Sequence, residues 1–276
     1  MALRFSKMHG AGNHFVVVDL RGGRPAPTPE LARALGDRHT GVGFDQLLSI
    51  EDSTRGDCLA RYRIWNSDGS AAQQCGNGAR CVAAWLVRDG AAMPPRFRLD
   101  SPAGPIDVDC LPDGRYALQM GVPDFHPGRI PLHAASEMPE YAVTLGGKAL
   151  HFGAASMGNP HALLVVDDVA RAAVEDIGPA LQQSGLFPEG VNVGFAQIES
   201  RDHIRLRVYE RGAGETLACG SGACAAVAIL VRQGRVDRHV DVQLPGGMLE
   251  IHWPTDERPI RMTGPAAFVF EGEWSA

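Results

Sequence analysis

Two cysteines stand in matching surroundings. Cys75 opens the run Cys75-Gly76-Asn77-Gly78-Ala79-Arg80, and Cys219 opens Cys219-Gly220-Ser221-Gly222-Ala223. Each thiol precedes a Gly-x-Gly turn and then an Ala-rich apolar stretch, Cys81 to Leu86 in one copy and Cys224 to Leu230 in the other. Small residues leading into good helix formers predict a loop that enters a helix, so each thiol falls at a helix N-terminus. Unpaired N–H groups and the positive end of the helix dipole favour an anion there. That setting predicts a thiol pKa drawn down from about 8.5 toward neutrality and N–H groups able to hold a carboxylate. One thiolate and one thiol on opposite sides of a carbon stereocentre can invert it, the first removing a proton and the second returning one to the other face. The carbanion would delocalise into an α-carboxylate, which the N–H groups of both turns hold more tightly as its charge grows. The only lysines, Lys7 and Lys148, lie outside the Cys75 and Cys219 stretches. No pyridoxal signature accompanies them, and no cofactor is expected.

The elements that must position these thiols recur along the chain. The first half reads as a glycine loop at Met8–His14 and a buried strand at Phe15–Asp19. A helix follows from Thr28 (N-cap) and Pro29 to about Leu35, then a second glycine loop at Gly41–Gln46 feeding the strand Gln46–Ile50. Arg61–Trp65 alternates as a half-buried strand and Asn66–Ser70 turns into the Cys75 stretch, after which Arg96–Leu99, Ile106–Asp109 and Tyr116–Met120 read as short strands. The second half repeats the order. Strands at Val143–Leu145 and Ala149–Phe152 lead to Ser156–His161 and the apolar strand Ala162–Asp167. Next come a helix at Val174–Gln183, a loop at Gly190–Phe195, the alternating strand Arg205–Tyr209, and Glu210–Glu215 leading into the Cys219 stretch. Cys75 and Cys219 are 144 residues apart, as are Asn66 and Glu210; Pro102 and Pro245, and Gly121 and Gly264, are 143 apart, and Asn13 and Asn159 are 146 apart. A period this long is not a solenoid. It predicts two copies of one domain facing each other across a pseudo-two-fold axis, with both thiols on one cleft.

Composition sets the bounds. The 276 residues are 45% hydrophobic and 21% charged, as in a soluble globular protein of one or two domains. A formal net charge of −6 argues against a nucleic-acid backbone as partner. No apolar run reaches the roughly 20 residues of a membrane span, and the first residues lack the apolar core of a signal peptide, so a cytoplasmic enzyme is expected. Six cysteines, Cys58, Cys75, Cys81, Cys110, Cys219 and Cys224, are expected to be reduced thiols. Structural zinc pairs usually run Cys-x2-4-Cys; here five residues separate 75/81 and four separate 219/224, and each second cysteine falls inside the helical stretch, so no metal is expected, and Cys81 and Cys224 read as small core residues.

Together these residues resemble the diaminopimelate epimerase family, pyridoxal-independent amino-acid epimerases of bacterial lysine and cell-wall synthesis. The resemblance is carried by Lys7-Met8-His9-Gly10 with Gly12-Asn13, Gly41-Val42-Gly43-Phe44-Asp45-Gln46, Asn66-Ser67-Asp68-Gly69-Ser70 and Cys75 to Cys81. It continues through Met157-Gly158-Asn159-Pro160-His161, Arg207 to Gly212 with Gly214-Glu215-Thr216, and Cys219 to Ala223. One departure is visible: the family usually has Asp after the first Asn, where this chain has His14. The resemblance implies that Cys75 and Cys219 are the acid/base pair, Cys219 accepting the proton of the LL substrate and Cys75 donating. It implies that His161 and Glu210 lie beside the thiols and tune them. Gly76, Asn77, Gly220 and Ser221 would offer N–H groups to the reacting carboxylate. Asn13, Gln46, Asn66, Asn159 and Asn192, whose amides both donate and accept, would bind the substrate together with Glu210, and Arg211 would pair with its distal carboxylate. The implied fold is α+β, two pseudo-symmetric domains, each a curled, mostly antiparallel sheet around a central helix. Boundaries are expected at 1–120, with 265–276 returning to that half through the strand Phe268-Val269-Phe270, and at 121–264. The family's homodimer is a further implication. A racemase of the proline or hydroxyproline type would share the two-thiol chemistry without needing Arg211 and the amides, and a non-catalytic thiol redox or metal-binding protein would use the same cysteines without turnover.

Overall fold

A computed structural model describes residues 2–73, 75–91 and 95–275. The chain forms two compact units, Met1–Gln119 with Thr263–Ala276, and Met120–Met262.

The first unit contains β1 (Leu3–Gly10), β2 (Asn13–Asp19), α1 (Pro29–Gly36), β3 (Gln46–Glu51), β4 (Ala60–Asn66), β5 (Ala71–Ala72), α2 (Gly76–Arg88), β6 (Arg96–Ser101), β7 (Gly104–Cys110) and β8 (Tyr116–Gln119). β1 pairs antiparallel with β2, β2 parallel with β3, β3 antiparallel with β4, β4 parallel with β6, and β6, β7 and β8 run as an antiparallel meander. The short β5 lies against β4. The C-terminal strand, Ala267–Trp274, lies antiparallel to β1. α2 packs on β1, β2, β3, β6 and β8, so the sheet curls round it. All four residues Phe15 to Val18 of β2 are buried. Alternation explains this, because successive side chains point to opposite faces. Val16 and Val18 join a core with Ala32 and Leu35 of α1, while Phe15 and Val17 turn to the face that carries α2.

The second unit holds β9 (Tyr141–Leu145), β10 (Lys148–Ser156), β11 (Pro160–Val165), α3 (Val174–Gln182), β12 (Asn192–Ser200), β13 (His203–Glu210), β14 (Gly214–Thr216), α4 (Gly220–Arg232), β15 (His239–Leu244) and β16 (Gly247–His252). Its pairings repeat those of the first unit. β10–β11 is antiparallel, β11–β12 parallel, β12–β13 antiparallel, β13–β15 parallel and β15–β16 antiparallel, with β14 against β13. α4 packs on β10, β11, β12 and β16. The registers match residue by residue. Phe15 opposes Gln46 as His161 opposes Asn192, and Ile64 opposes Ala72 as Val208 opposes Thr216. The fold is α+β, with one topology built twice.

Two stretches read as loops from sequence are strands. Met8–His14 is a continuous hairpin in which only Ala11 and Gly12 turn, with φ of 51° and 84°. A two-residue turn with positive φ matches the right-handed twist of its flanking strands, so the strands can run up to it. The Gly190–Phe195 stretch is strand from Asn192 onward. Among the described residues no helix is long and apolar enough to cross a membrane.

Candidate active site

Cys75 and Cys219 are the N-cap residues of α2 and α4, both with extended backbone (φ −155° and −118°), and their carbonyls accept the first helical bonds from Ala79 and Ala223. Gly76 and Asn77, and in the other unit Gly220 and Ser221, fill the first two helical positions, where backbone N–H groups have no intrahelical acceptor. The third position explains the second glycine of each motif. The Gly78 N–H donates to Cys75 Sγ at 3.3 Å. A methyl group on Gly222 would come within 3.2 Å of Cys219 Sγ, Cys219 Cβ and Val208 Cγ2. Gly222→Ala therefore sets improved helix propensity, about 1 kcal/mol, against crowding of about 1–3 kcal/mol. Net stability should change by no more than about 2 kcal/mol in urea unfolding. The sulfur must move a few tenths of an ångström, and turnover should fall roughly tenfold, since small misplacements carry large kinetic penalties.

In the first unit the thiol of Cys75 faces an amide network. Its Sγ lies 3.7 Å from Asn13 Oδ1, which also accepts from Asn77 Nδ2 at 3.4 Å. Asn13 Nδ2 donates to Asp45 Oδ2 at 2.8 Å, and the His14 N–H donates to the same oxygen at 3.0 Å. Asp45 thereby fixes which end of the Asn13 amide meets the sulfur. Arg38 Nη2 donates to the other oxygen of Asp45 at 3.1 Å, and the His14 ring approaches it at 3.2 Å. His14 is thus part of the shell around Asp45. Buried Arg80, at the far end, donates to Asn77 Oδ1 at 2.7 Å and to the Pro265 carbonyl at 3.1 Å. Gln46 Nε2 donates to Asn66 Oδ1 at 3.0 Å, and Asn66 Nδ2 donates to Ser70 Oγ. Gln46 Oε1 is buried and has no partner among the described residues.

The second unit surrounds its thiol differently. Cys219 is only 4% exposed, and its Sγ donates to Glu210 Oε2 at 3.1 Å. Thr216 Oγ1 donates to Glu210 Oε1 at 2.5 Å, and Ser221 Oγ lies 3.8 Å from the sulfur. Burial, and after it the negative charge of Glu210, push the Cys219 thiol well above its ordinary pKa. The expectation of a lowered pKa is therefore wrong for Cys219. A helix N-terminus contributes about 0.3–1 kcal/mol at a surface, whereas full burial can shift a group by 3–5 pH units. Sequence reasoning placed Glu210 beside a thiol, and the structure does so for Cys219. It overlooked Thr216 and Asp45. The signal for Thr216 was the duplication itself, which sets it against Ala72.

His161 Nε2 meets Asn159 Oδ1 at 3.0 Å, and Asn159 Nδ2 lies 3.5 Å from Ser221 Oγ. Asn192 uses both ends internally, Nδ2 donating to the Pro160 carbonyl and Oδ1 accepting the Arg211 N–H at 2.9 Å. The Arg211 side chain donates from Nη1 to the Glu189 carbonyl at 2.5 Å. His161 is buried, and burial, followed by the charge of Arg211, lowers its pKa to about 3. Its imidazole should stay neutral from pH 5 to 8 in an NMR titration. The unfolded histidine titrates near 6.5, so below that pH the unfolded state binds more protons. His161 should then cost stability as acidity rises, up to about 1.4 kcal/mol per pH unit, and contribute nothing above about pH 6.5.

The sequence matches the profile of the family described as Diaminopimelate epimerase over residues 5–126 and 153–269. It is 59% identical over 274 residues to the diaminopimelate epimerase of Xanthomonas axonopodis pv. citri, covering 99% of this chain and 96% of that one. It is 58% identical over 272 residues to an O-ureido-serine racemase of Streptomyces lavendulae, covering 98% and 94%. Among solved structures, a probable proline racemase from Agrobacterium radiobacter shares the fold, with a TM-score of 0.72 at 17% identity over 99% of this chain and 93% of that one. A phenazine biosynthesis protein of the PhzF family from Bacillus anthracis shares it too, with a TM-score of 0.70 at 17% identity over the full length of both. With paired thiols capping duplicated helices and a profile match along most of its length, this chain belongs to the diaminopimelate epimerase family.

Proposed function

We propose that this protein is a cofactor-independent epimerase that interconverts LL- and meso-2,6-diaminoheptanedioate, a step in the supply of lysine and of peptidoglycan precursors. The observation that carries this reading is the recurrence of a cysteine as N-cap in both copies of a duplicated fold, one of them bonded to a carboxylate at 3.1 Å. One thiolate takes the α-proton and the electron pair passes into the α-carboxylate. The other thiol then delivers its proton to the opposite face, restoring the C–H bond with inverted configuration. First-turn N–H groups of Gly76, Asn77, Gly220 and Ser221 hold the carboxylate as its charge builds. For Cys219 to become the base, its proton passes to Glu210 Oε2, which is already its hydrogen-bond acceptor. His161, held neutral by burial, serves as a polar group rather than as a charge.

The distal amino-acid head falls to the amides Asn13, Gln46, Asn66, Asn159 and Asn192 and to Arg211. The buried oxygen of Gln46 supports this reading, since an ammonium would supply the donor it lacks. Asn192 acts by holding the backbone of Arg211, whose exposed guanidinium keeps donors for a carboxylate. The relative named O-ureido-serine racemase makes O-ureidoserine the sharpest competitor. A chiral assay with both compounds decides between them. Turnover of LL-diaminoheptanedioate with kcat/KM at least 100-fold above that for O-ureidoserine is expected, and the reverse ratio overturns the assignment.

The active form is taken to be a cytoplasmic homodimer. The C-terminal strand pairs with β1 and exposes Phe268, Val269 and Phe270. Exposed apolar side chains clustered on one strand invite a second copy.

A further inference from the structure

Duplication allows the surroundings of each thiol to be compared position by position. Glu210 in the second unit corresponds to Asn66 in the first, Thr216 to Ala72, and His161 to Phe15. The carboxylate and the hydroxyl that bonds it occur together in one unit, and both are absent at the matching positions of the other. Asn66 is bonded within its own turn to Ser70 and to Gln46, while Cys75 faces the amide of Asn13. Glu210 instead bridges two donors, Thr216 Oγ1 on Oε1 at 2.5 Å and Cys219 Sγ on Oε2 at 3.1 Å.

Building on the epimerase reading, we propose that Thr216 is a positioning residue, whose hydroxyl fixes the rotation of the Glu210 carboxylate so that Oε2 accepts the Cys219 proton. The step is a transfer from sulfur to oxygen, S–H···O⁻ becoming S⁻···H–O, with no other bond changed. A bond donated to the ionised carboxylate stabilises that form, so the hydroxyl keeps Glu210 available as an acceptor at lower pH. Other titratable groups nearby are engaged elsewhere. Glu215 alternates to the opposite face of β14 and pairs with Arg207 at 2.6 Å, the side chain of Arg211 turns to the Glu189 carbonyl, and His161 meets Asn159.

Thr216→Val keeps the size and β-branching of the residue and removes the donor, and Thr216→Ser restores the donor. In Thr216→Val the acid limb of the kcat/KM profile for LL-diaminoheptanedioate should move up by about one pH unit, with roughly tenfold loss of kcat/KM below it. KM near the optimum should change less than twofold, and Thr216→Ser should return the limb to the wild-type position. A second arm needs no substrate. The infrared S–H stretch of Cys219, assigned by its loss in Cys219→Ser, should move to higher frequency in Thr216→Val and return in Thr216→Ser. A pH profile that is only scaled down, together with an unmoved S–H band, overturns the proposal. If wild type fails to turn over diaminoheptanedioate, the epimerase reading fails, and the infrared arm decides the role of Thr216.

Discussion

Cys75→Ala and Cys219→Ala should each lower epimerisation at least about 10³-fold, in both directions, while leaving the protein folded. A positioned acid or base contributes about 10²–10⁴-fold, and the proposed two-thiol inversion uses both, one to remove the α-proton and the other to return one. Structural effects are too small to explain such a loss. Truncating buried Cys219 removes one sulfur from the packing around Val208 and Gly222, a change of about 1–2 kcal/mol by analogy with small core deletions. Cys75→Ala removes an N-cap acceptor worth about 1 kcal/mol. Chiral chromatography of the product pool, with circular dichroism as the folding control, checks the prediction. A variant retaining a tenth of wild-type activity would remove its cysteine from the chemistry.

Glu210→Gln should have the next largest effect, about 100-fold lower kcat/KM near pH 8, with the deficit shrinking as pH rises. Two effects compete. Removing the negative charge makes the Cys219 thiol easier to ionise, but it also removes the group that takes the proton. Burial is the larger cause of the raised thiol pKa, ahead of the Glu210 charge, so losing the charge does not bring the thiol near neutrality. Without an internal acceptor the proton must leave to solvent, and activity should keep climbing about tenfold per pH unit through the alkaline range instead of reaching a plateau. A pH–rate profile of the variant parallel to that of wild type would place Glu210 outside the proton path.

What the sequence made legible follows from how local each cause is. Cys-Gly-x-Gly before an Ala-rich run announces a helix start because the third residue must make room for the sulfur, and both helices begin at Gly76 and Gly220. The near-constant offset revealed the duplication, and the strand registers repeat it. Thr28 and Pro29 marked a helix start in the same local way. β1 was hidden because Lys7 and His9 interrupt its apolar pattern and its partners lie both next to it and more than 250 residues away. The pKa of Cys219 was misjudged because the dipole is a local property, whereas burial is set by tertiary packing. The Thr216–Glu210 bond depends on a short strand whose pairing no propensity announces.

The most direct measurement follows the α-hydrogen in heavy water. Wild-type enzyme given LL-diaminoheptanedioate in D2O, sampled within the first few per cent of conversion, should yield meso product carrying one deuterium at the inverted carbon. The remaining LL pool should be unlabelled at that point, because the hydrogen delivered comes from a solvent-exchanged thiol and not from the substrate. Meso product that keeps its original hydrogen, or LL substrate labelled as fast as product forms, would mean that a single group handles both faces and would contradict the account.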